Sequence, residues 1–409
     1  MTIATGIKKL VTYKKESVFG TAPAPTGPFG QALRRVTSSI DMTKATLKSA
    51  EIRPDMQQGD FRHGGRTVAG TIAGELSVGT HSDFLSSALR QSWQPVITTT
   101  ALTTVAAAST TGAGGTYTRS AGSFLTDGFK IGDVVRATGW TAPATANNAH
   151  NFWITALTAT VMTGIHLDGI AMVTKVAGDS VTLAQAGKKT WTPISGHTND
   201  SYSIEHFFSD IGQSEVFTGC RVSQVDVKLP ASGMAGIDVQ VMGQNMTPTQ
   251  SQYFTTPLTV TTGSTLASVN GALVLGGVVV AIVTGMNFSI KGNATRGDVV
   301  GSVVTPDIFM GGMDVDGQLM IYFQDAIARD AFVNETEVTL NVVLTANNNP
   351  NADFQAYSMP RVKINGAAKS DGEVGLVLTA PFVALFNTAG SATAASLNTT
   401  LTVQDSLVP

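Results

Sequence analysis

Two parts of the chain carry similar short sequence marks in the same order. The marks of the first part are Ser39-Ile40-Asp41, Pro54-Asp55-Met56, Gly74-Glu75-Leu76, a helical stretch ending at Leu89, Arg221-Val222 and Gly236-Ile237. The marks of the second part are Ser289-Ile290-Lys291, Pro306-Asp307-Ile308, Gly317-Gln318-Leu319, a helical stretch ending at Phe332, Arg361-Val362 and Gly375-Leu376. This shared order predicts a β-rich unit that is present twice. Related units in a ring present related edges to each other, so the pattern is typical of a chain built to assemble.

The composition favours β-structure and a surface that is buried by partners. Only 13% of the 409 residues are charged, against roughly 25% in ordinary soluble domains. The 42 glycines and the many Thr, Ser and Val residues favour strands joined by frequent turns. A low-charge surface is a solubility liability that assembly would remove. The composition also fits a β-rich soluble protein solvated by Thr, Ser and Asn, and this alternative stays open here.

Charge, cysteine content and hydropathy exclude several classes of protein. The net charge of −3 lacks the basic excess by which nucleic-acid-binding proteins neutralise phosphates. The single cysteine, Cys220, forms no internal disulfide and is predicted to be a small core residue. The most apolar stretch, 272–283, is shorter than the roughly 20 residues that span a bilayer, and it predicts a buried strand or a contact surface. No membrane association is therefore predicted.

Alternating apolar residues and turn signals divide the chain into segments. The fold class is predicted to be mainly β, with two tandem sandwich- or barrel-forming domains, a short helix in each, and an inserted small β-domain. The predicted segments are an N-terminal arm (1–29), the first domain (30–97 with 201–247), a barrel-like insertion (98–200), an interdomain linker or arm (248–283), the second domain (284–388) and a C-terminal tail (389–409). The tail is rich in Ala, Ser and Thr, and we expect it to be mobile or to lie on a neighbouring chain.

The sequence predicts no catalytic, cofactor-binding or metal-binding residues. No two of the six histidines have the i, i+4 spacing of a helical metal site. The segment 312–317 (GMDVDG) resembles part of a calcium loop but lacks the later glutamate, so it predicts a turn before a strand. The four tryptophans fit either core positions or a sugar- or base-binding face; they are Trp93, Trp140, Trp153 and Trp191. We therefore expect the protein not to be an enzyme.

Several segments resemble the tail tube, or major tail, proteins of long-tailed bacteriophages. They are residues 13–23 (YKKESVFGTAP), 49–55 (SAEIRPD), 124–135 (FLTDGFKIGDVV), 207–222 (FFSDIGQSEVFTGCRV) and 359–363 (MPRVK). The segment 124–135 is similar to the decorating insertion of many members. The resemblance covers nearly the whole chain, and the family has no active site to carry over.

The resemblance implies a structural virion protein that stacks as rings into a hollow tube for genome ejection. Strands of all subunits would close a continuous barrel, which satisfies every sheet edge. If the usual ring has six units, a chain with two units makes a trimer with pseudo-sixfold symmetry, with six-chain rings as the alternative. The implied partners are further copies of the chain, tail terminator, tape measure and baseplate or tip proteins, and the genomic dsDNA that passes without specific binding. Assembly would take place in the host cytoplasm, and the resemblance leaves open whether the tail is contractile.

A β-sandwich component of the virion that binds a receptor or carbohydrate is the competing interpretation. It requires an exposed aromatic platform, and it does not require matched edges on two copies.

Overall fold

The computed structural model describes residues 3–27, 29–324, 327–370 and 375–408, and it is mainly β, as predicted. The elements before the insertion are β1 (Lys9–Lys15), β2 (Gln31–Ala32), β3 (Thr37–Ser38), β4 (Asp41–Lys48), β5 (Phe61–Glu75) and α1 (Ser82–Leu89). The next strands are β6 (Val105–Ser109), β7 (Gly114–Arg119), β8 (Val134–Thr138), β9 (Phe152–Leu157), β10 (Val161–His166), β11 (Thr182–Gln185) and β12 (Lys188–Trp191). They are followed by β13 (Tyr202–Phe208), β14 (Gln213–Pro230), β15 (Gly236–Gly243) and β16 (Asn245–Thr249).

The remainder of the chain forms a second series of similar elements. These are β17 (Gly271–Leu275), β18 (Val278–Val279), β19 (Val283–Lys291), β20 (Thr295–Arg296), β21 (Ile308–Phe309), β22 (Asp314–Tyr322), α2 (Ile327–Val333), β23 (Val338–Thr345), β24 (Phe354–Ile364), β25 (Ala368–Lys369), β26 (Val377–Ala384) and β27 (Thr402–Asp405). Three short 3₁₀ turns also occur among the described residues, at Gly6–Lys8, Ala144–Asn147 and Ser268–Asn270.

The two halves of the chain repeat one antiparallel sheet order. The first copy pairs its strands as β4–β5–β15–β14, and the second as β19–β22–β26–β24. Helix α1 follows β5 and helix α2 follows β22 at the same point of the series. The predicted duplication of a β unit with a short helix is therefore confirmed.

A second layer of strands is also repeated. It runs β1–β13–β14–β16 in the first copy and β17–β23–β24–β27 in the second. Strands β1, β17 and β27 lie in the segments predicted to be an arm, a linker and a tail. The prediction that the tail is mobile or lies on a neighbour is wrong for Thr402–Asp405, because this strand is buried between β12 and β24. Its alternation of Thr, Val and Gln lacks the apolar run that marks a core strand.

The strand ladders give the register between the copies. In the first copy, the pairing of β14 with β15 skips one residue of β14 after Val222. In the second copy, the pairing of β24 and β25 with β26 skips one residue between Ile364 and Ala368. A side chain at Gly70 or at Gly317 would meet the facing strand at 2.4 Å, so both positions mark the same close approach. Val222 therefore corresponds to Ile364, and Gly70 corresponds to Gly317.

The residue matches made from the sequence are displaced along the strands. Gly317 was matched to Gly74, four residues from its structural counterpart Gly70, and Val222 was matched to Val362, two residues from Ile364. Both displacements are even numbers of residues. Because side chains alternate between faces with a period of two, an even displacement leaves every residue on its predicted face.

One hydrophobic core extends through both copies. It contains the inward side chains of the two sheets, such as Val225, Ile237, Phe288 and Leu319, and it includes Cys220, as predicted. Helix α1 contributes Phe84 and the neighbouring apolar side chains of the same face. The helices pack on this side of the sheets, so the opposite face is left for solvent or for partners.

The insertion is a six-stranded antiparallel sheet with a core of its own. Its strand order is β11–β8–β9–β10–β7–β6, and Tyr117, Phe129 and Phe152 are fully buried within it. Trp153 of the insertion packs in one apolar cluster with Val343 and Phe354 of the second copy. The insertion is therefore packed on the second layer of strands (β17–β23–β24–β27) in the second copy of its own chain.

Candidate assembly interface

The two copies are joined by a strand pair inside the chain. Strand β14 of the first copy pairs antiparallel with β19 of the second, from Gln224 opposite Lys291 to Pro230 opposite Gly285. The two repeated sheets thus form one continuous sheet, β4–β5–β15–β14–β19–β22–β26–β24. This internal junction shows how the last strand of one copy meets the first strand of the next.

The ends of this continuous sheet are unpaired among the described residues. Strands β3 and β4 pair only with β5, and β25, which continues β24, pairs only with β26. Most of β4 is exposed, although its counterpart β19 is largely buried. An unpaired edge presents backbone donors and acceptors to another chain. The molecule therefore carries the two halves of the internal junction on separate free edges.

The register fixes which residues these edges would present. Residues 37–43 correspond to 285–291, and residues 366–370 correspond to 224–228. The amide of Ser39 donates to Thr71 on β5 at 3.0 Å, so the amides of Asp41 and Thr43 also point to β5. The amide of Lys44 points outward, and that of its counterpart, Gly292, donates across the internal junction to the Ser223 carbonyl at 2.8 Å.

The face of the sheet opposite the core is rich in carboxylates. They are Asp41, Glu75, Asp226, Asp238, Asp314 and Asp316. Lys228 forms an ion pair with Asp238, and Lys291 forms one with Asp316 at 2.6 Å. Lys363 lies on the same face, 3.9 Å from Glu335. The six carboxylates outnumber the three lysines on this face, so its net charge is negative.

Two histidines in the first copy are buried in the neutral form. Burial, with a smaller effect of Arg34, lowers the pKa of His81 to about 4, and neither ring nitrogen of His81 has a hydrogen-bond partner among the described residues. Burial and the nearby Lys9 and Arg35 lower the pKa of His206 to about 3. Near the C-terminus, burial raises the pKa of Asp405 to about 6.

The insertion brings together three residues that sequence spacing did not connect. His150 Nδ1 lies 2.6 Å from Asp168 Oδ2, and the His150 ring stacks on that of His166 with centroids 4.9 Å apart. The Nδ1–H of His166 donates to the Ile170 carbonyl at 2.9 Å. The 2.6 Å distance is that of a hydrogen bond between His150 and Asp168, so we interpret the group as a hydrogen-bonded pair beside a stacked ring. A search limited to i, i+4 pairs missed it because the pairing of β9 with β10, and not a helix, brings His150 beside His166 and Asp168.

The tryptophans do not form an exposed platform. Trp140 and Trp153 are buried, and Trp93 is half-buried with its Nε1 donating to the Ser82 carbonyl at 3.0 Å. Trp191 is half-buried in β12. The alternative interpretation of the tryptophans as a binding face is therefore wrong for Trp140 and Trp153, where the core interpretation holds, and it stays a prediction for the half-buried Trp93 and Trp191.

Comparison with known proteins identifies the family. The profile of the phage tail tube protein family matches residues 6–384. The chain belongs to this family. No curated protein matches the chain. The resemblance noted in the sequence is thereby confirmed, and the protein is a structural component of the phage tail. In the described part of the chain, no helix has the length and apolar character needed to cross a membrane.

The family match relates the free edges to tube formation. It spans both copies and the insertion, so the duplication lies within the tail tube protein itself. Self-assembly with other tail components is what such a family implies. Among the described residues, β3–β4 and β25 have backbone edges that no other strand of the chain pairs with.

Proposed function

We propose that three chains close into a ring through their free edges, and that these rings stack into the hollow tail tube through which the DNA genome is ejected. The observation that carries this proposal is the β14–β19 junction, whose two sides recur as unpaired edges at opposite ends of the same sheet. Repeating one strand pairing around a circle satisfies every edge, as in a closed barrel.

The number of chains follows from the duplication. If the ring has six sheet positions, each chain fills two of them, and three chains complete the circle with pseudo-sixfold symmetry. Rings of six chains remain the alternative. The copies differ by the insertion, so the proposed symmetry is strictly threefold.

We propose that the acidic face of the sheet lines the lumen. Duplex DNA carries roughly one negative charge per 1.7 Å of its axis, so a lysine- or arginine-lined wall would retain it. The carboxylates of this face, with Lys228 and Lys291 already in ion pairs, would repel the phosphates and let DNA slide. The DNA would pass without specific binding.

The domain division is proposed with altered boundaries. Strand pairing supports adding 9–15 and 248–249 to the first domain, and 271–275 and 402–405 to the second. Residues 1, 2, 28, 325, 326, 371–374 and 409 of the predicted segments lie outside the described residues.

We propose tail terminator, tape measure and baseplate or tip proteins as further partners, with assembly in the host cytoplasm before incorporation into virions.

The insertion provides a direct test of the number of chains. Each chain carries one insertion, which packs on the second layer of strands (β17–β23–β24–β27) of its second copy. End-on class averages of single rings in electron microscopy are expected to show three peripheral knobs. Six knobs would contradict the trimer and support six-chain rings. A failure of the purified protein to form any rings or tubes would contradict the proposed function itself.

A further inference from the structure

We propose that the β4–β5 hairpin of each chain docks on the second copy of its neighbour, where Asp60 forms an ion pair with Lys363. This inference rests on the proposed ring, and it names the contact that locks one chain to the next. It follows from a hairpin that is already docked inside the chain.

The internal hairpin runs from β19 through β20 and β21 to β22, and its tip packs on the first copy. Asp307 pairs with Arg221 at 2.9 Å, and Arg221 also donates to the Ile308 carbonyl. Arg221 is only 7% exposed, so the hairpin covers its guanidinium. The amide of Arg66 donates to the Val303 carbonyl at 2.7 Å, and Gln244 Nε2 donates to the Thr305 carbonyl at 2.8 Å.

The β4–β5 hairpin has the same register as the internal one. In the first copy Leu47 faces Arg62 and Lys48 faces Phe61; in the second Thr295 faces Phe309 and Arg296 faces Ile308. The residue before Phe61 is Asp60, and the residue before Ile308 is Asp307. An aspartate therefore occupies the same position of both hairpins.

The surface that receives the hairpin is also repeated. Because Val222 corresponds to Ile364, the residue that corresponds to Arg221 is Lys363. Lys363 is 42% exposed at its side chain and lies beside a groove lined by Phe332, Val333 and Asn365. The same combination of a cation and an aspartate thus occurs at both junctions. It is Arg221 with Asp307 inside the chain, and Lys363 with Asp60 in the proposed contact between chains.

Two further positions support the same docking. Arg296 donates to the Arg66 carbonyl at 2.7 Å, and the residue that corresponds to Arg296 is Lys48, another cation. The second is Met56 at the tip of the β4–β5 hairpin, which is 97% exposed in the single chain. An apolar side chain so exposed at a hairpin tip gains burial when the tip docks.

In the single chain, Asp60 and Lys363 have exposed partners that the proposed ion pair would replace. Asp60 pairs with Arg62 at 3.0 Å, and the two side chains are 58% and 80% exposed. Lys363 lies 3.9 Å from Glu335, whose side chain is 84% exposed. Exposed ion pairs of this kind contribute little to stability, so replacing them costs little.

Charge exchange tests the pair. Asp60→Lys and Lys363→Asp are each expected to raise the protein concentration needed for ring formation about ten-fold or more, because like charges then meet in the docked hairpin. The double variant Asp60→Lys/Lys363→Asp is expected to recover most of this loss. Both positions are exposed, and circular dichroism of the single variants should match that of the unchanged protein.

Asp55→Lys is the matched control. Asp55 is another carboxylate on the same hairpin, five residues before Asp60, and it pairs with Arg53 at 2.8 Å. It should assemble at nearly the unchanged concentration. In addition, oxidation of Asp60→Cys/Lys363→Cys rings should give covalent trimers, whereas Asp55→Cys/Lys363→Cys should not. The native Cys220 is buried and gives little background.

The possible failures are distinguishable. In one case the unchanged protein forms rings and Asp60→Lys also assembles normally; in another the unchanged protein forms rings and the double variant shows no recovery. Either result would overturn the Asp60–Lys363 pair and leave the proposed ring intact. An unchanged protein that forms no rings at all would overturn the ring, and the pair with it.

Discussion

Lys44→Pro is expected to abolish ring formation while leaving the subunit folded. Proline removes the outward amide of Lys44, the counterpart of the Gly292 amide that donates across the internal junction to Ser223. The pyrrolidine ring would also meet the facing strand. An unsatisfied acceptor at a buried junction costs about 1–3 kcal/mol, and a closed ring repeats that cost at every junction between chains. The fold should persist because proline is tolerated on strand edges whose amide faces solvent.

Lys44→Ala is the control for this substitution, since it removes the same side chain and keeps the backbone amide. Sedimentation velocity and negative-stain electron microscopy should show tubes for Lys44→Ala and monomers for Lys44→Pro. Tubes formed by folded Lys44→Pro at the unchanged concentration would exclude β4 as the joining edge. Loss of assembly in both variants would assign the effect to the lysine side chain and not to the backbone.

Acidification from pH 7 to pH 4 is expected to destabilise the subunit, chiefly through His81 and His206. Their folded-state pKa values, about 4 and about 3, lie below the ordinary histidine pKa of about 6.5, so the unfolded chain binds more protons in this range. Stability is therefore lost as the pH falls from 6.5. Each histidine contributes a loss of about 3 kcal/mol at pH 4.

Asp405 acts in the opposite direction. Its folded-state pKa of about 6 exceeds the ordinary aspartate pKa of about 3.8, so the folded chain binds more protons between these pH values and gains stability as the pH falls. The gain is about 2 kcal/mol at pH 4, which offsets most of the loss from one of the two histidines. The expected net effect of the three groups is a loss of stability.

Urea unfolding of the monomeric Lys44→Pro variant at pH 7 and pH 4 measures this effect without a contribution from assembly. Adding His81→Met should reduce the difference in unfolding free energy between the two pH values by about 3 kcal/mol. Adding His63→Gln, at an exposed position of the β4–β5 hairpin, should leave it unchanged. An unaltered pH dependence in the His81→Met variant would contradict a neutral buried His81.

The assembly surface was only partly predictable from the sequence. The matched marks in the two halves predicted related edges. The alternation of apolar and polar residues in the sequence, as around Val225 and Ile237, also indicates which side chains face the core. The correspondence of Asp60 with Asp307 was not predicted, because Pro54-Asp55 resembles Pro306-Asp307 more closely. Only the pairing of Lys48 with Phe61 and of Arg296 with Ile308 distinguishes the two aspartates.

The position of the insertion also required the tertiary structure. Turn signals and short strands between 98 and 200 predicted a separate β-domain, but not what it packs on. Trp153 and Val134 look like ordinary core residues in the sequence, and their cluster with Val343 and Phe354 involves residues about 200 positions away. Likewise, β27 lacks an apolar run, and it is a core strand because Gln404 donates from Nε2 to the Val134 and Ala186 carbonyls.

The sequence by itself determined that the protein is mainly β, that its unit is duplicated and which face of each strand is buried, because these depend on composition and on a side-chain period of two residues. The tertiary structure alone decided the register between the copies, the strands contributed by the terminal and linking segments, and the pairing of Arg221 with Asp307 at the internal junction. A displacement of two residues preserves every face and costs nothing in the hydrophobic pattern. Only backbone pairing, with its bulges and its close approaches at Gly70 and Gly317, distinguishes one register from the next.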